Sequence, residues 1–121
     1  MKIILVEDNA DLAQSMQMLL SLQGHEARIF LTSQQLLDEA ACTDDADLVV
    51  SDYYLPDLNG VELIKRLRAR RPGLQAVLLT GSREESIVRA ASRIADCDIL
   101  HKPLDCEELT RTLESLNRKA A

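Results

Sequence analysis

Aromatic side chains are scarce in this chain of 121 residues. It has no Trp, and its aromatic rings are those of Phe30, Tyr53 and Tyr54. Three rings are too few for a platform on which nucleic-acid bases stack, or for a clamp around a flat aromatic cofactor. The composition therefore argues against both kinds of binding protein.

Paired cysteines and long apolar runs are also lacking. The three Cys residues include no Cys-x-x-Cys pair, so neither a disulfide framework nor a zinc site is expected. Apolar runs are short, as in Ile3-Ile4-Leu5-Val6, and no membrane span or secretory signal fits them. Together with a strand that starts directly after Met1, these features predict a cytoplasmic protein without a membrane contact.

Positive charge is in deficit. The chain has 14 Lys and Arg residues against 20 Asp and Glu residues, which gives a net charge of −6 at pH 7. An acidic surface is unsuited to phosphate backbones, so direct contact with nucleic acid is not expected. The length and the 46% hydrophobic content predict a single globular domain over residues 1–121.

Five short apolar runs alternate with five amphipathic stretches along the chain. The runs occupy residues 3–6, 27–30, 48–50, 76–79 and 99–100. They are rich in Leu and β-branched residues and do not alternate with polar residues, which is typical of strands buried on both faces of a parallel sheet. Each run is followed by apolar residues at helical spacing.

Polar capping residues mark where four of the amphipathic stretches begin. Thr32, Asn59, Ser82 and Asp105 are each followed three residues later by Gln or Glu, which is the spacing of a capping box. Five successive βα units predict an α/β fold with a doubly wound, five-stranded parallel sheet of the flavodoxin-like (βα)5 type. Strand order 2-1-3-4-5 is the common solution.

The carboxyl ends of the strands form the predicted binding edge, because ligands of such sheets bind where the strand order reverses. Four of the five predicted strands deliver ionisable or hydroxyl groups to this edge. After the first, third, fourth and fifth strands these are Glu7 and Asp8, Asp52, Thr80, and Lys102.

Two of the carboxylates should approach each other. Neighbouring strands lie about 4.8 Å apart, so Asp8 and Asp52 should repel each other by roughly 3 kcal/mol at an effective dielectric near 20. Mg²⁺, which prefers carboxylates, water and a phosphate oxygen, would compensate that repulsion. With the Thr80 hydroxyl and the Lys102 ammonium, the pocket suits a small tetrahedral dianion, and a carboxylate there can attack phosphorus.

Each of these residues also has a purely local interpretation. Asp52 and Thr80 fit turn chemistry, Glu7 and Asp8 fit an interaction with a helix dipole, and Lys102 fits a solvated side chain. The combination on one sheet edge, rather than any single residue, favours a phosphoryl site.

The segments around these residues resemble the receiver domains of two-component response regulators. The resemblance covers essentially the whole chain without a long insertion. The segments that carry it are Leu5-Val6-Glu7-Asp8-Asn9, Ser51-Asp52-Tyr53-Tyr54-Leu55-Pro56-Asp57-Leu58-Asn59-Gly60, Leu79-Thr80-Gly81-Ser82 and Lys102-Pro103-Leu104.

The resemblance implies a phosphorylation-activated switch and not an enzyme that turns over an external substrate. Asp52 would be the phosphoacceptor, charged by a histidine kinase or a histidine phosphotransfer protein. Glu7, Asp8, Asp52 and the backbone carbonyl of Tyr54 would hold Mg²⁺. The domain would assist its own phosphorylation and the later hydrolysis of the acyl phosphate.

The resemblance also implies how the signal leaves the site. Thr80 and Lys102 would contact the phosphoryl oxygens, and Gly81 would give the following loop its backbone freedom. The surface of the fourth helix, fifth strand and fifth helix would then control an output domain or an effector, or form a phosphorylation-dependent homodimer. The Lys102–Pro103 peptide bond would be cis. The chain would stand alone or begin a longer regulator.

Three positions need separate consideration. Ile99 stands where the family usually has Tyr or Phe, so the inward turn of an aromatic ring is not expected. Tyr54 is bulky and flanks the pocket, where it either shields the acyl phosphate or packs over the loop. Ser82, also beside the pocket, is small and uncharged.

A basic run follows the phosphoacceptor segment. We interpret it as a solvated helix face supported by a Glu62–Arg66 pair, in preference to a docking site. Its members are Lys65, Arg66, Arg68, Arg70 and Arg71.

Three other functions fit parts of the pattern. A flavodoxin-like cofactor carrier would need a Ser/Thr/Gly-rich phosphate loop where Glu7-Asp8-Asn9 stands. An aspartate-nucleophile phosphatase would need an acid at the position of Tyr54. A degenerate receiver used only for interaction would have no need for the intact set of site residues.

Overall fold

Each predicted run lies in a strand, and each amphipathic stretch lies in a helix. The structure is a computed structural model and describes residues 1–81 and 85–120. Within these residues a 3₁₀ helix, Ala40–Asp45, was not predicted from the sequence. The strands are β1 (Lys2–Val6), β2 (Glu26–Phe30), β3 (Leu48–Asp52), β4 (Gln75–Thr80) and β5 (Cys97–His101). The α-helices are α1 (Ala10–Leu22), α2 (Ser33–Asp38), α3 (Gly60–Arg70), α4 (Glu85–Ser92) and α5 (Cys106–Ala120).

The predicted sheet is confirmed. All strand pairs are parallel, and the order is β2-β1-β3-β4-β5. The central strand β3 is buried along its whole length. The order reverses between β1 and β3, so the carboxyl ends of these two strands meet at one edge.

Two apolar layers cover the two faces of the sheet. Successive side chains of a strand point to opposite faces, so Ile4 and Val6 join one layer while Ile3 and Leu5 join the other. Helices α2, α3 and α4 pack on the first layer, and α1 and α5 pack on the second. Burying a side chain of this size contributes about 2 kcal/mol, so both layers hold the strand ends in place.

Three of the four predicted helix caps are observed. The side-chain oxygens of Thr32, Asn59 and Asp105 each accept a backbone N–H in the first turn of α2, α3 and α5. The predicted cap at Ser82 lies outside the described residues.

The prediction of a solvated basic face on α3 is wrong for Arg68. Its guanidinium donates to the backbone carbonyls of Leu74 (2.9 Å), Asp96 (3.0 Å) and Ala95. The Arg68 side chain therefore connects the turn before β4 with the turn before β5. Asp96 has a φ of 52°, a left-handed conformation that Asp tolerates better than most residues.

Two further members of the basic run also have defined partners. Arg70 forms a two-bond pair with the Asp44 carboxylate at 2.8 and 2.9 Å, and Arg71 donates to the carbonyls of Thr43 and Asp44. The unpredicted 3₁₀ helix is thus fixed to α3. Because the partners lie 26 to 28 residues away, helical spacing alone does not reveal them.

The three cysteines are free, as the sequence predicted. Among the described residues, no helix combines the length and the apolar character that a membrane span needs.

Candidate functional site

Three carboxylates meet at the carboxyl edge of β1 and β3. One carboxylate oxygen from each of Glu7, Asp8 and Asp52 lies within 4.8 Å of the other two. Glu7 follows β1 directly and is fully buried, Asp52 ends β3 and is 6% exposed, and Asp8 is exposed. This cluster could hold a metal ion, and its exposed side is the one that carries Asp8.

The Lys102 ammonium lies between the two buried carboxylates. Its Nζ donates to Glu7 Oε1 at 2.8 Å and to Asp52 Oδ2 at 3.1 Å. Lys102 follows β5, and its backbone N–H donates to the Thr80 carbonyl at 2.9 Å. Part of the carboxylate repulsion expected from the sequence is therefore compensated by a side chain of the protein itself.

Burial and charge shift the pKa values in this cluster. Burial raises the pKa of Glu7 to about 7, although the hydrogen bond from Lys102 opposes the rise. Burial acts to lower the pKa of Lys102, but its hydrogen bonds to Glu7 and Asp52 outweigh that effect and leave the pKa raised. The ammonium is therefore charged at neutral pH and faces the carboxylate of Asp52.

One oxygen of the cluster has no hydrogen-bond partner among the described residues. Glu7 Oε2 is buried and finds no partner within residues 1–81 and 85–120, whereas Oε1 accepts from Lys102. A buried polar atom without a partner is costly. A hard cation held jointly with Asp8 and Asp52 would satisfy it, so the residues present fit a metal of the Mg²⁺ or Ca²⁺ class.

The remaining strand-end residues lie beside the cluster or in the neighbouring core. Thr80 ends β4 and is fully buried, one residue beyond the Leu79 that pairs with Asp52. Gly81 is exposed, and an added Cβ there would contact no atom of the described residues within 4 Å. Ser82 lies outside the described residues. The Lys102–Pro103 bond is cis, as the resemblance implied.

A comparison with known protein families agrees with this geometry. Residues 3–114 match the family described as response regulator receiver domain. The chain belongs to the response regulator receiver domain family. The match favours a receiver domain over a flavodoxin-like carrier and over an aspartate-nucleophile phosphatase.

Relatives support the same assignment. This receiver domain is similar to the transcriptional regulatory protein FixJ of Bradyrhizobium diazoefficiens, with 31% identity over 98% of this chain and 57% of FixJ. It is also similar to the C4-dicarboxylate transport transcriptional regulatory protein DctD of Pseudomonas aeruginosa, with 31% identity over 97% of this chain and 24% of DctD. The chain therefore spans about half, or less, of the length of these curated relatives.

A solved structure has the same fold. The signal receiver domain of an HD domain-containing protein from Pseudomonas fluorescens Pf-5 superposes with a TM-score of 0.88 and 28% identity. The match covers 98% of this chain and 88% of that one.

Ile99 occupies a half-buried position in this receiver domain. It pairs with Leu78 across the sheet and packs against the apolar layer under α2, α3 and α4.

The loop between β3 and α3 closes tightly beneath the cluster. The Gly60 N–H donates to the Tyr53 carbonyl at 2.9 Å. A Cβ on Gly60 would lie 2.5 Å from the Asp52 carbonyl oxygen and 2.8 Å from Leu78 Cδ1. Tyr54 lies within this loop and is 52% exposed, and its ring makes a T-shaped contact with the ring of Tyr53.

Asp57, in the same loop, makes contacts that the sequence analysis missed. Its carboxylate accepts the backbone N–H groups of Ser33 (3.1 Å) and Gln34 (2.8 Å) at the start of α2. The Pro56-Asp57 sequence is a turn signal, but no local pattern indicates a partner 24 residues away.

Proposed function

We propose that this receiver domain is a phosphorylation-activated switch in which Asp52 accepts a phosphoryl group with Mg²⁺ present. The donor is a histidine kinase or a histidine phosphotransfer protein. Glu7, Asp8, Asp52 and the backbone carbonyl of Tyr54 hold the Mg²⁺, and Thr80 and Lys102 contact the phosphoryl oxygens. The observation that carries the proposal is the Lys102 ammonium beside the three clustered carboxylates.

The phosphoryl transfer balances without a further reactant. A carboxylate oxygen of Asp52 forms a bond to the phosphorus of phosphohistidine, the N–P bond breaks, and the imidazole nitrogen leaves with the electron pair. A bound Mg²⁺ would supply charge neutralisation at the phosphoryl oxygens. The later attack of water on phosphorus releases phosphate and regenerates the Asp52 carboxylate, so the domain assists both steps without being an enzyme for another substrate.

During phosphorylation the Lys102 ammonium can exchange its Asp52 carboxylate partner for a phosphoryl oxygen. It donates to Asp52 Oδ2 at 3.1 Å, and phosphorylation replaces the single charge of this carboxylate with a phosphoryl group that carries nearly two negative charges. Lys102 then pairs with a phosphoryl oxygen, because that oxygen carries more negative charge than the carbonyl oxygen left on the phosphorylated Asp52 side chain.

The output follows from the position of Thr80 at the end of β4. A contact between its hydroxyl and the phosphoryl group draws the loop after Gly81 toward the site. The surface of α4, β5 and α5 then shifts between two populated arrangements. Ile99 takes no part, because a β-branched side chain has one preferred rotamer and no ring to swing.

We infer that the shifted surface acts on an output domain or an effector protein in the cytoplasm, or forms a phosphorylation-dependent homodimer. The similarity to transcriptional regulators that are about twice as long or longer supports an attached output domain. In this proposal the receiver itself contacts neither nucleic acid nor membrane.

Phosphorylation of Asp52→Asn tests the proposal. Wild-type protein should form an acyl phosphate with acetyl phosphate and Mg²⁺, and Asp52→Asn should not. Asp98→Asn removes an exposed carboxylate of β5 and serves as the matched control, with labelling like the wild type. Unchanged labelling of Asp52→Asn would contradict the assignment.

Mg²⁺ binding tests the metal ligands separately. Titration calorimetry should detect binding to the wild type, and Asp8→Asn should lose most of it. Affinity should fall in acid, because the ligands must be ionised. Absence of heat, or heat that is indifferent to Asp8, would contradict the ligand set.

Three further variants test the switch. Tyr54→Ala should shorten the lifetime of the phosphorylated form, because the exposed ring no longer screens the acyl phosphate from water. Thr80→Ala should be phosphorylated without the change in amide exchange of α4, whereas Ile99→Val should respond normally. A normal α4 response in Thr80→Ala would contradict the coupling, and an unchanged lifetime in Tyr54→Ala would contradict the shielding.

A further inference from the structure

We propose that Asp57 is a positioning residue that couples the loop after the phosphoacceptor to the start of α2. Through this coupling, Mg²⁺ binding at Asp52 strengthens the hydrogen bonds that hold the first residues of α2. This inference rests on the proposed function. It assigns a role to a carboxylate that touches neither the clustered acids nor the predicted phosphoryl site.

Asp57 connects the loop between β3 and α3 to the start of α2 through both of its carboxylate oxygens. Oδ1 accepts from the Ser33 N–H at 3.1 Å, and Oδ2 accepts from the Gln34 N–H at 2.8 Å. In the reverse direction, the Ser33 hydroxyl donates to the Leu58 carbonyl at 2.8 Å, and Ser33 is fully buried. Three hydrogen bonds therefore join residues 57–58 to the first residues of α2.

The same loop is fixed at its base beside the phosphoacceptor. The Tyr53 N–H donates to the Leu79 carbonyl at 2.8 Å, and the Tyr53 carbonyl accepts from Gly60. Tyr54, whose carbonyl is the proposed fourth metal ligand, lies between this base and the Asp57 contacts. Its backbone is therefore held from both sides, although its side chain is exposed.

The acceptor chemistry at position 57 is specific to a carboxylate. Two adjacent N–H groups need two acceptor oxygens, and the charge of the carboxylate makes both bonds stronger than neutral ones. Asparagine offers one acceptor oxygen and an NH₂ group that would face an N–H donor. Asp57→Asn should therefore retain part of the connection, and Asp57→Ala none of it.

The coupling must act in both directions. If the Asp57 contacts favour the loop arrangement that binds Mg²⁺, then bound Mg²⁺ must favour those contacts by the same free energy. The N–H groups of Ser33 and Gln34 donate hydrogen bonds to Asp57. Their amide exchange should therefore report metal binding at Asp52, where the same loop begins.

The first experiment measures Mg²⁺ affinity by calorimetry on the full chain. Loss of a group that hydrogen-bonds directly to a metal ligand weakens binding by about tenfold or more. Asp57 acts on Tyr54 only through the loop, so Asp57→Ala should bind Mg²⁺ several-fold more weakly and Asp57→Asn should show a smaller loss. The control is Asp38→Asn. It removes an exposed carboxylate of α2 that contacts only the Gln34 side chain among the described residues, and it should bind like the wild type.

The second experiment needs no substitution. Amide hydrogen exchange of wild-type protein should slow at Ser33 and Gln34 when Mg²⁺ is added, whereas the amides of Gln23 and Gly24, at the opposite end of α1 from the cluster, should not change. In Asp57→Ala the effect of Mg²⁺ at Gln34 should disappear, even if that variant is less stable.

The outcomes separate this inference from the proposed function. Absence of Mg²⁺ binding to the wild type would contradict the metal site itself. Binding to the wild type with unchanged exchange at Ser33 and Gln34, or with equal affinity in Asp57→Ala, would overturn the coupling and leave the metal site standing.

Discussion

Lys102 lies between two buried carboxylates and so compensates charge before any phosphoryl group arrives. Its side chain is 26% exposed, whereas the Glu7 side chain is 1% exposed. Removing the ammonium leaves Glu7 and Asp52 facing each other without a cation. At the residue scale, Lys102 therefore supports the fold as well as the proposed chemistry.

We expect Lys102→Met to lower the free energy of unfolding by about 2 kcal/mol at pH 8, because it leaves a buried charge without its partner. Urea unfolding measures the change. Lys65→Met is the matched control, since Lys65 pairs with Glu62 at an exposed site, and it should cost no more than about 0.5 kcal/mol. Equal losses in the two variants would show that the Lys102 bridge does not stabilise the fold.

Asp57 should make stability depend on pH. Burial acts to raise its pKa, but the backbone N–H groups of Leu58, Gln34 and Ser33 outweigh that effect and hold the pKa below the ordinary 3.8. The ionised Asp57 carboxylate therefore stabilises the folded state above pH 3.8. This stabilisation is lost as the pH falls through the lower pKa that Asp57 has in the folded state.

Chemical unfolding of wild type and Asp57→Asn at a series of pH values tests this. The advantage of the wild type should shrink as the pH falls below 3.8. Parallel stability curves for the two proteins would contradict the prediction.

At the scale of elements, the first residue of α3 packs directly against the end of β3. The close approach of Gly60 to the Asp52 carbonyl leaves no room for a side chain. The helix start thus fixes the backbone of the phosphoacceptor, and a shift of one displaces the other.

Gly60→Ala should destabilise the protein by about 2 kcal/mol, because the added methyl group forces backbone atoms apart. It should also slow phosphorylation of Asp52. Gly73→Ala is the control, since a Cβ there would meet no atom of the described residues within 4 Å, and it should be neutral or up to about 1 kcal/mol stabilising. Thermal unfolding of both variants distinguishes the two sites.

Arg68 connects two turns through three backbone carbonyls. Arg68→Lys keeps the charge but loses the planar fork, so it should lower the free energy of unfolding by about 1.5 kcal/mol. Arg66→Lys changes an exposed position of the same helix and should stay within about 0.5 kcal/mol of the wild type. Equal stability of the two variants would mean that the carbonyl contacts of Arg68 contribute nothing.

At the scale of the whole molecule, metal binding and folding should be linked. A ligand that binds only the folded state raises the free energy of unfolding by about 2.7 kcal/mol at a concentration 100 times its Kd. Mg²⁺ should therefore raise the melting temperature of the wild type. NaCl at equal ionic strength controls for screening of the net charge of −6. A similar rise in Asp8→Asn would argue against binding at the acidic cluster.

Much of the architecture follows from the sequence alone, because its signals are local. Apolar runs, helical spacing and the caps at Thr32, Asn59 and Asp105 depend on residues within one or two turns. The handedness of βα crossovers then leaves few strand orders, and the order places Glu7 and Asp52 at one edge. The carboxylate cluster was therefore predictable from where the strands end.

The tertiary structure decided which partners the charged side chains take. Lys102 meets Glu7 across 95 residues and Asp52 across 50, and Asp57 meets Ser33 across 24. The carbonyl partners of Arg68 likewise belong to other turns. No periodicity extends over such separations, because these contacts form only when packed layers bring distant loops within hydrogen-bond distance.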